Sequence, residues 1–241
     1  MDRLKPSIRP SGPRIGFQRW DKLLFLHWEL PPDVLRPLVH PRLGLDTFDG
    51  RAFVSITPFT VRGARLRGFP ALPALSDFHE VNVRTYVHLG GEDPAVWFFS
   101  LDAASAVAAA IARASLRLPY CYSRISRGEA GGRLTYEAAR ILPVGPAGLS
   151  AAWTVVGEAS PAGPGSLEHF LAERYLLFSR AFRQKLFRMQ VHHAPWPLRP
   201  VKELDVAQTL STADGLPPLR GTPLSQYSEG VDVDFFAPTV V

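Results

Sequence analysis

Short apolar runs, some alternating with polar residues and some continuous, recur along the chain and are each closed by Gly, Pro or Asp-Gly. They predict strands over 20–30, 43–48, 51–59, 78–89, 95–102, 115–126, 133–142, 151–159 and 185–193. Asp49-Gly50 marks the clearest hairpin turn, because both residues tolerate positive φ, and it predicts an antiparallel pair between 43–48 and 51–59. Helical periodicity is rarer. It is found over 32–39, over the alanine-rich 103–114, and over 166–182, where Leu167, Phe170, Leu171, Phe178 and Phe182 recur at helical spacing behind the capping residue Ser166. The pattern predicts a β-rich α+β fold. Proline-glycine stretches at 143–150 and 159–166 read as loops, so 1–241 reads as one domain. A polar N-terminal tail over 1–16 and an irregular C-terminal wrap over 199–241 complete it.

Segment 78–88 is the most informative. Strand side chains alternate between faces, which places His79, Val81, Val83, Thr85 and Val87 on one side. Phe78, Glu80, Asn82, Arg84, Tyr86 and His88 fall on the other, so an acid, an amide and a guanidinium stand in a row between aromatics. Such a row is either a solvated face or the lining of a ligand cavity, and the strand alone leaves both open. Downstream, Trp97-Phe-Phe-Ser-Leu-Asp102 reads as a strand delivering Ser100 and Asp102 to the side of Phe98, with Asp102 as N-cap of the alanine-rich helix. Tyr120, Tyr122 and Arg124 share one face of the next strand, and phenols beside a guanidinium recognise anions and hydroxyls well.

Composition narrows the classes. With 241 residues, 46% apolar and 20% charged, the chain buries a core, and disorder is excluded. The charge of +5 rests on scattered arginines, with loose groups at Arg62, Arg65, Arg67 and at Arg180, Arg183, Arg188; no nucleic-acid motif accompanies it, so no nucleic acid is expected as partner. The longest quiet stretch, 103–116, falls short of the roughly 20 residues that cross a bilayer, so no membrane is expected either. A single cysteine, Cys121, and a polar start without an apolar run point to a cytoplasmic protein. The seven histidines are dispersed, and His192 and His193 would point to opposite faces, so no metal site is expected. Phosphate loops, dinucleotide glycine motifs and nucleophile elbows are missing from the sequence, and no cofactor is called for.

Ser76-Asp-Phe78-His-Glu80 resembles the glycine-x-tyrosine-x-glutamate strand of acetoacetate decarboxylases. Leu101-Asp102, Ala112-Arg113 and Leu118-Pro119 are similar to the block that follows in those enzymes, and Arg113 and Pro119 keep its spacing. A closer similarity is to the YqjF-like branch of that superfamily, a domain of unknown function. It runs through Phe25-Leu-His-Trp28, Leu45-Asp-Thr-Phe-Asp-Gly50, Asn82-Val-Arg-Thr-Tyr-Val87, Trp97-Phe-Phe-Ser-Leu-Asp-Ala103, Glu173-Arg-Tyr175 and His193-Ala-Pro-Trp-Pro-Leu198. The resemblance implies a curved antiparallel sheet closing into an acetoacetate decarboxylase-like barrel around a ligand cavity, with a few packed helices. Glu80 and Arg113 are the positions that carry over. Acetoacetate decarboxylases form a Schiff base on the first lysine of Pro-Lys-Lys, whereas Tyr120 and Cys121 follow Pro119 here, and the lysines are Lys5, Lys22, Lys185 and Lys202.

These readings combine into an expected site for a small carboxylate or oxygenated metabolite. Glu80 and Tyr120 are the candidate catalytic pair, and Asn82, Arg84, Ser100, Arg113, Tyr122 and Trp196 the candidate ligand-binding residues. The chain would then be a binding protein or a lysine-independent lyase, isomerase or hydrolase. The alternative is a structural or interaction protein with a vestigial cavity, in which Glu80 merely pairs with Arg84 or Arg113. Homo-oligomerisation stays open.

Overall fold

The computed structural model describes residues 1–142, 146–181 and 185–241, and the repeated apolar runs form one 13-stranded sheet. Its strands are β1 (Gly16–Leu30), β2 (Leu43–Leu45), β3 (Ala52–Leu66), β4 (Phe78–Leu89), β5 (Glu92–Ala103), β6 (Tyr120–Ala130) and β7 (Arg133–Leu142). They continue as β8 (Gly148–Val155), β9 (Leu176–Arg180), β10 (Leu186–His192), β11 (Leu198–Gln208), β12 (Leu224–Phe235) and β13 (Thr239–Val240). Among the described residues the α-helices are short: α1 (Pro32–Leu35), α2 (Pro73–Ser76), α3 (Ala106–Leu116), α4 (Leu167–Ala172) and α5 (Leu210–Ala213).

The sheet closes on itself twice. Pairing of β4 with β5 completes a strand ring through β6, β7, β8, β11, β12, β1 and β3. Pairing of β10 with β12 completes a smaller one through β1, β3, β4, β5 and β9. Strands β12, β1, β3, β4 and β5 are therefore a wall shared by two interiors, which explains why residues 80–87 of β4 are buried without interruption. On one side Leu24, Leu26, Val54, Ile56, Val81 and Val83 pack with Tyr136, Trp153 and Tyr227. On the other, Leu23, Phe25, Phe59, Val61, Val231 and Val233 pack with Val191 and Trp196. Period-two alternation sends neighbours into different cores, and each fully buried aliphatic side chain stabilises the fold by about 1.5–3 kcal/mol. A Val83→Asp substitution would leave an unpaired carboxylate in the first core and break it.

Four expectations change. Asp49 and Gly50 do take positive φ, 49° and 77°, and Phe48 and Arg51 exchange backbone hydrogen bonds, but β2 pairs with β4 and not with β3. The helix expected over 166–182 ends at Ala172. Leu176 and Phe178, two apart, share a strand face but not a helix face, and pairing with β5 and β10 places them in β9. Phe182 lies outside the described residues. The segment 199–241 is not an irregular wrap, since β11 and β12 are full strands of the sheet and Val231 and Val233 reach its second core. Asp102 is not an N-cap; Ser105 caps α3, accepting from the Ala108 amide at 3.3 Å. The N-terminal tail is tied down, with Arg3 bonded to Asp46, and Arg9 and Arg14 to Asp234.

Candidate functional site

The polar row of β4 lies on the shared wall and faces the second interior. Strand register sets its neighbours: His27, Ser55, Arg84 and Phe98 form one row across four strands. Thr57, Asn82, Leu101 and Tyr120 form the next, and Phe59, Glu80, Ala103 and Tyr122 the third. Glu80, Asn82, Arg84 and Tyr86 are all buried, so the row is not a solvated face.

Glu80 and Tyr120 meet. The Tyr120 hydroxyl donates to Glu80 Oε2 at 3.1 Å, and the backbone carbonyl of Glu80 accepts from the Tyr136 hydroxyl at 2.8 Å, which pins β4 from the first core. Burial pushes the Glu80 carboxyl up to about 8; the Tyr120 bond opposes this and Asp102 adds to it. Glu80 is thus mostly protonated at neutral pH, and near its midpoint it can give or take a proton. Burial and the adjacent Glu80 drive the Tyr120 phenol well above its ordinary value, so it stays a hydrogen-bond donor.

Arg84 turns away from Glu80. Its guanidinium lies 5.8 Å from the Phe25 ring centroid, while Nε and Nη2 are buried with no hydrogen-bond partner. Among the described residues no ion pair includes Arg84, and burial lowers its pKa against the pull of Tyr86. A cation in this state is expensive, because each unmet buried donor costs about 1–3 kcal/mol. Asn82 Oδ1 beside it is also unpartnered.

Two histidines that the sequence did not single out for the site complete the arrangement. The Tyr86 hydroxyl donates to the Leu171 carbonyl at 2.9 Å, so the contact of His27 Nδ1 with that hydroxyl at 3.1 Å is donated by Nδ1–H. Nε2 of His27 then carries a lone pair, and it is buried and unpartnered. Burial, and secondarily Arg84, lower His27 to about 3 and keep it neutral. His193 repeats the pattern: Nδ1 bonds the Ala194 carbonyl at 2.8 Å, Nε2 is unpartnered, and burial lowers the ring to about 4. Its ring stacks on Tyr175 at 4.4 Å. Trp196 is buried with one edge toward Phe25 at 5.3 Å, and its backbone N–H donates to Glu173 Oε1 at 2.8 Å. Tyr122 stands half-buried in the third row.

Two expected residues belong elsewhere. A β-bulge separates the pairs Val83–Ser100 and Arg84–Phe98, which turns Ser100 to the first interior. There it donates to Asp214 at 2.5 Å and joins Arg140, which also holds Asp102 at 2.7 Å and Asp214 at 2.8 Å. Arg113 is exposed on α3, because the small face of that helix packs and its charged residue faces outward. Cys121 is buried, and burial with Asp102 pushes its thiol up to about 11, so it is no thiolate at neutral pH.

Openings flank the site. Strand β9 pairs with β5 at Val96 and Trp97, and β6 pairs with it at Leu101–Ala103. At the break between them lies a hollow of about 270 Å³ lined by Trp97, Phe98, Phe99, Pro119 and Phe178. A second, of about 570 Å³, has His193 and Val231 in its wall and Arg9, Arg14 and Arg19 at its sides. Neither lining includes Glu80 or Arg84. Among the described residues, no group of three His, Cys, Asp or Glu could share a metal ion, and no helix is long and apolar enough to cross a membrane.

The profile of an uncharacterized conserved protein family, DUF2071, matches residues 17–232. The chain belongs to the DUF2071 family. It is similar to the uncharacterized protein YqjF of Bacillus subtilis (strain 168), with 35% identity over 94% of this chain and 93% of that one. Among solved structures, acetoacetate decarboxylase from Legionella pneumophila superposes with a TM-score of 0.65 at 11% identity, over 100% of this chain and 96% of that one. The enduracididine biosynthesis enzyme MppR, complexed with pyruvate, gives 0.64 at 16% identity, over 97% and 92%. At such identities the likeness is one of fold. The DUF2071 chain therefore has the acetoacetate decarboxylase-like architecture.

Proposed function

We propose that this DUF2071 protein binds a small carboxylate or oxygenated metabolite on the inner face of the shared wall. The observation that carries the reading is Arg84, a buried guanidinium with two unpartnered N–H groups and no carboxylate paired to it. A carboxylate would supply the missing charge and both acceptors in bidentate geometry. Asn82 orients the same end, Tyr122 and Trp196 contribute contact area, and Phe25 supports the guanidinium from below.

In this reading Glu80 handles the proton. Neutral Glu80 donates to a carbonyl or leaving oxygen, ionised Glu80 accepts from carbon or hydroxyl, and Tyr120 donates to the carboxyl or to a developing oxyanion. A Schiff base does not fit. Lys5, Lys185 and Lys202 are exposed, Lys22 pairs with Glu229, and Tyr120 and Cys121 stand where the family resemblance would put lysines. No cofactor is needed for proton transfer of this kind.

A thermal-shift screen against 2-oxo, 2-hydroxy and sugar acids tests the proposal. A ligand at one hundred times its Kd should stabilise the protein by about 2.7 kcal/mol. Arg84→Met should abolish that stabilisation, and Glu80→Gln or Tyr120→Phe should weaken it. Borohydride with a bound keto acid should leave no adduct. Saturable binding that survives Arg84→Met, or a trapped lysine adduct, would overturn the reading.

A further inference from the structure

We infer that the site selects for a hydroxyl group carried next to the carboxylate, so that hydroxy acids bind and the matching oxo acids are discriminated against. The inference rests on the carboxylate reading of Arg84 and deepens it. It follows from the count of donors and acceptors left open around Arg84. The guanidinium offers donors at Nε and Nη2, whereas His27 Nε2 and Asn82 Oδ1, open on the same wall, are acceptors. Once an anion sits on Arg84, these acceptors still need hydrogen.

His27 is the decisive one. It shares a row with Arg84 across Ser55 on β3, and the Tyr86 hydroxyl lies between them, 3.1 Å from His27 Nδ1 and in contact with Arg84. The floor between them is made of Ser55 and Thr57, whose hydroxyls bond each other at 3.2 Å. Both His27 and Arg84 lean on the same ring, Phe25, His27 at 6.1 Å and Arg84 at 5.8 Å from its centroid. The tautomer cannot adapt, because Tyr86 commits its single proton to the Leu171 carbonyl and so takes the hydrogen of His27 Nδ1. Nε2 of His27 therefore keeps a buried lone pair without a partner.

An oxo oxygen there would set lone pair against lone pair. An ammonium group would supply hydrogen but would add a second buried cation for which the ligand carries no further anion. A hydroxyl donates one hydrogen, stays neutral and fits both constraints. Sites built to bond a hydroxyl reject analogues without it strongly, because the buried partner is left unmet.

Isothermal titration of the full-length protein with matched pairs tests this: lactate against pyruvate, and mandelate against phenylglyoxylate. The hydroxy acid of each pair should bind at least tenfold more tightly. His27→Phe keeps the ring contact with Phe25 but removes the acceptor, and should bring the two affinities to within about twofold, by weakening the hydroxy acid and relieving the oxo acid. The wild-type protein gives a second reading by nitrogen NMR, in which the resonance of unprotonated His27 Nε2 should move on adding the hydroxy acid and stay in place with the oxo acid. Equal affinities within each pair, both lost in Arg84→Met, would overturn the hydroxyl inference and leave the carboxylate reading standing. Absence of binding by all four acids, or binding indifferent to Arg84, would overturn both.

Discussion

Arg84→Met should make the ligand-free protein no less stable than the wild type, although it deletes a buried residue of the central wall. Two buried N–H groups are unmet at Arg84, and at about 1–3 kcal/mol each they cost the folded state on the order of 2–6 kcal/mol. Against this stands the contact with Phe25, worth about 2 kcal/mol when desolvated. Methionine fills a similar volume with no polar atom. The expected change is between none and about 4 kcal/mol of added stability, within the range seen when buried charges are replaced by packed apolar groups. Each kcal/mol moves the melting temperature of a chain this long by roughly 2–4 °C.

Urea unfolding followed by tryptophan fluorescence measures the difference directly, and an unchanged slope keeps the comparison valid. Arg140→Met is the matched control. The side chain of Arg140 is also buried but satisfied, bonding Asp102, Asp214 and Ser100, so its loss strands two buried carboxylates and should cost about 3–5 kcal/mol. One substitution in two places with opposite signs is hard to obtain unless the Arg84 charge is stored for a ligand. A loss of more than about 1 kcal/mol in Arg84→Met would refute the argument, since it would mean the guanidinium has its partners within the fold.

Glu80 makes stability depend on pH. Its folded value, about 8, lies above the ordinary 4.5, so its contribution is complete below about pH 4.5 and is lost as the pH rises toward 8. Across that window the stability of wild type relative to Glu80→Gln should fall by about 1.4 kcal/mol per pH unit, read from urea melts at pH 5, 6, 7 and 8. A flat difference would show that Glu80 is ionised throughout. His27 and His193 act in the opposite direction. Their depressed values, about 3 and 4, mean that stability is lost as the pH falls below about 6.5, and His27→Phe should flatten that acid limb in equilibrium unfolding. Asp46 links the tail to the interior, since it bonds both Arg3 and the buried Arg174. Asp46→Asn should cost about 3–5 kcal/mol and speed tryptic cleavage after Arg3, followed by mass spectrometry.

The sequence was most legible where local pattern and tertiary demand agree. Strands β4 and β7 fall where their apolar spacing puts them, and the inward aim of Glu80, Asn82 and Arg84 follows from a period of two. Strand β9 is hidden because Phe178 continues the helical spacing of Phe170 and Leu171, and the edge of β5 decides for the strand. The alternation Val231-Asp-Val233-Asp-Phe235 marks β12 plainly, but the prolines and glycines before it argued for a loop, and no local rule reveals that β1 awaits a partner. Ser100 was misplaced by one bulge, which inverts every later residue of a strand without leaving a trace in composition. His27 stands alone in the sequence, so no histidine cluster points to it. Its spacing of two from Phe25, against Leu24 and Leu26 on the other side, was the available signal.

The double closure of the sheet gives that alternation its functional weight. On an ordinary half-exposed strand a polar residue is the default, and its presence carries little information. In a wall with a core on each side neither face reaches water, so every polar side chain there must be satisfied by the fold or be waiting for something else. In the first interior the charged groups follow the former course: Ser100, Asp102, Ser123, Arg140 and Asp214 close upon one another, while Trp153 Nε1 and the Tyr227 hydroxyl stay unpartnered. In the second they do not. Asn82, Arg84, His27 and His193 retain open atoms within a few side chains of one another, next to a carboxyl held at about 8. Both interiors keep open polar atoms, but among the described residues the buried charges of the first are paired, whereas the guanidinium of Arg84 in the second has no ion pair. An occupant brought from outside, anionic at one end and donating hydrogen at the other, is the simplest complement to the atoms the second interior leaves open.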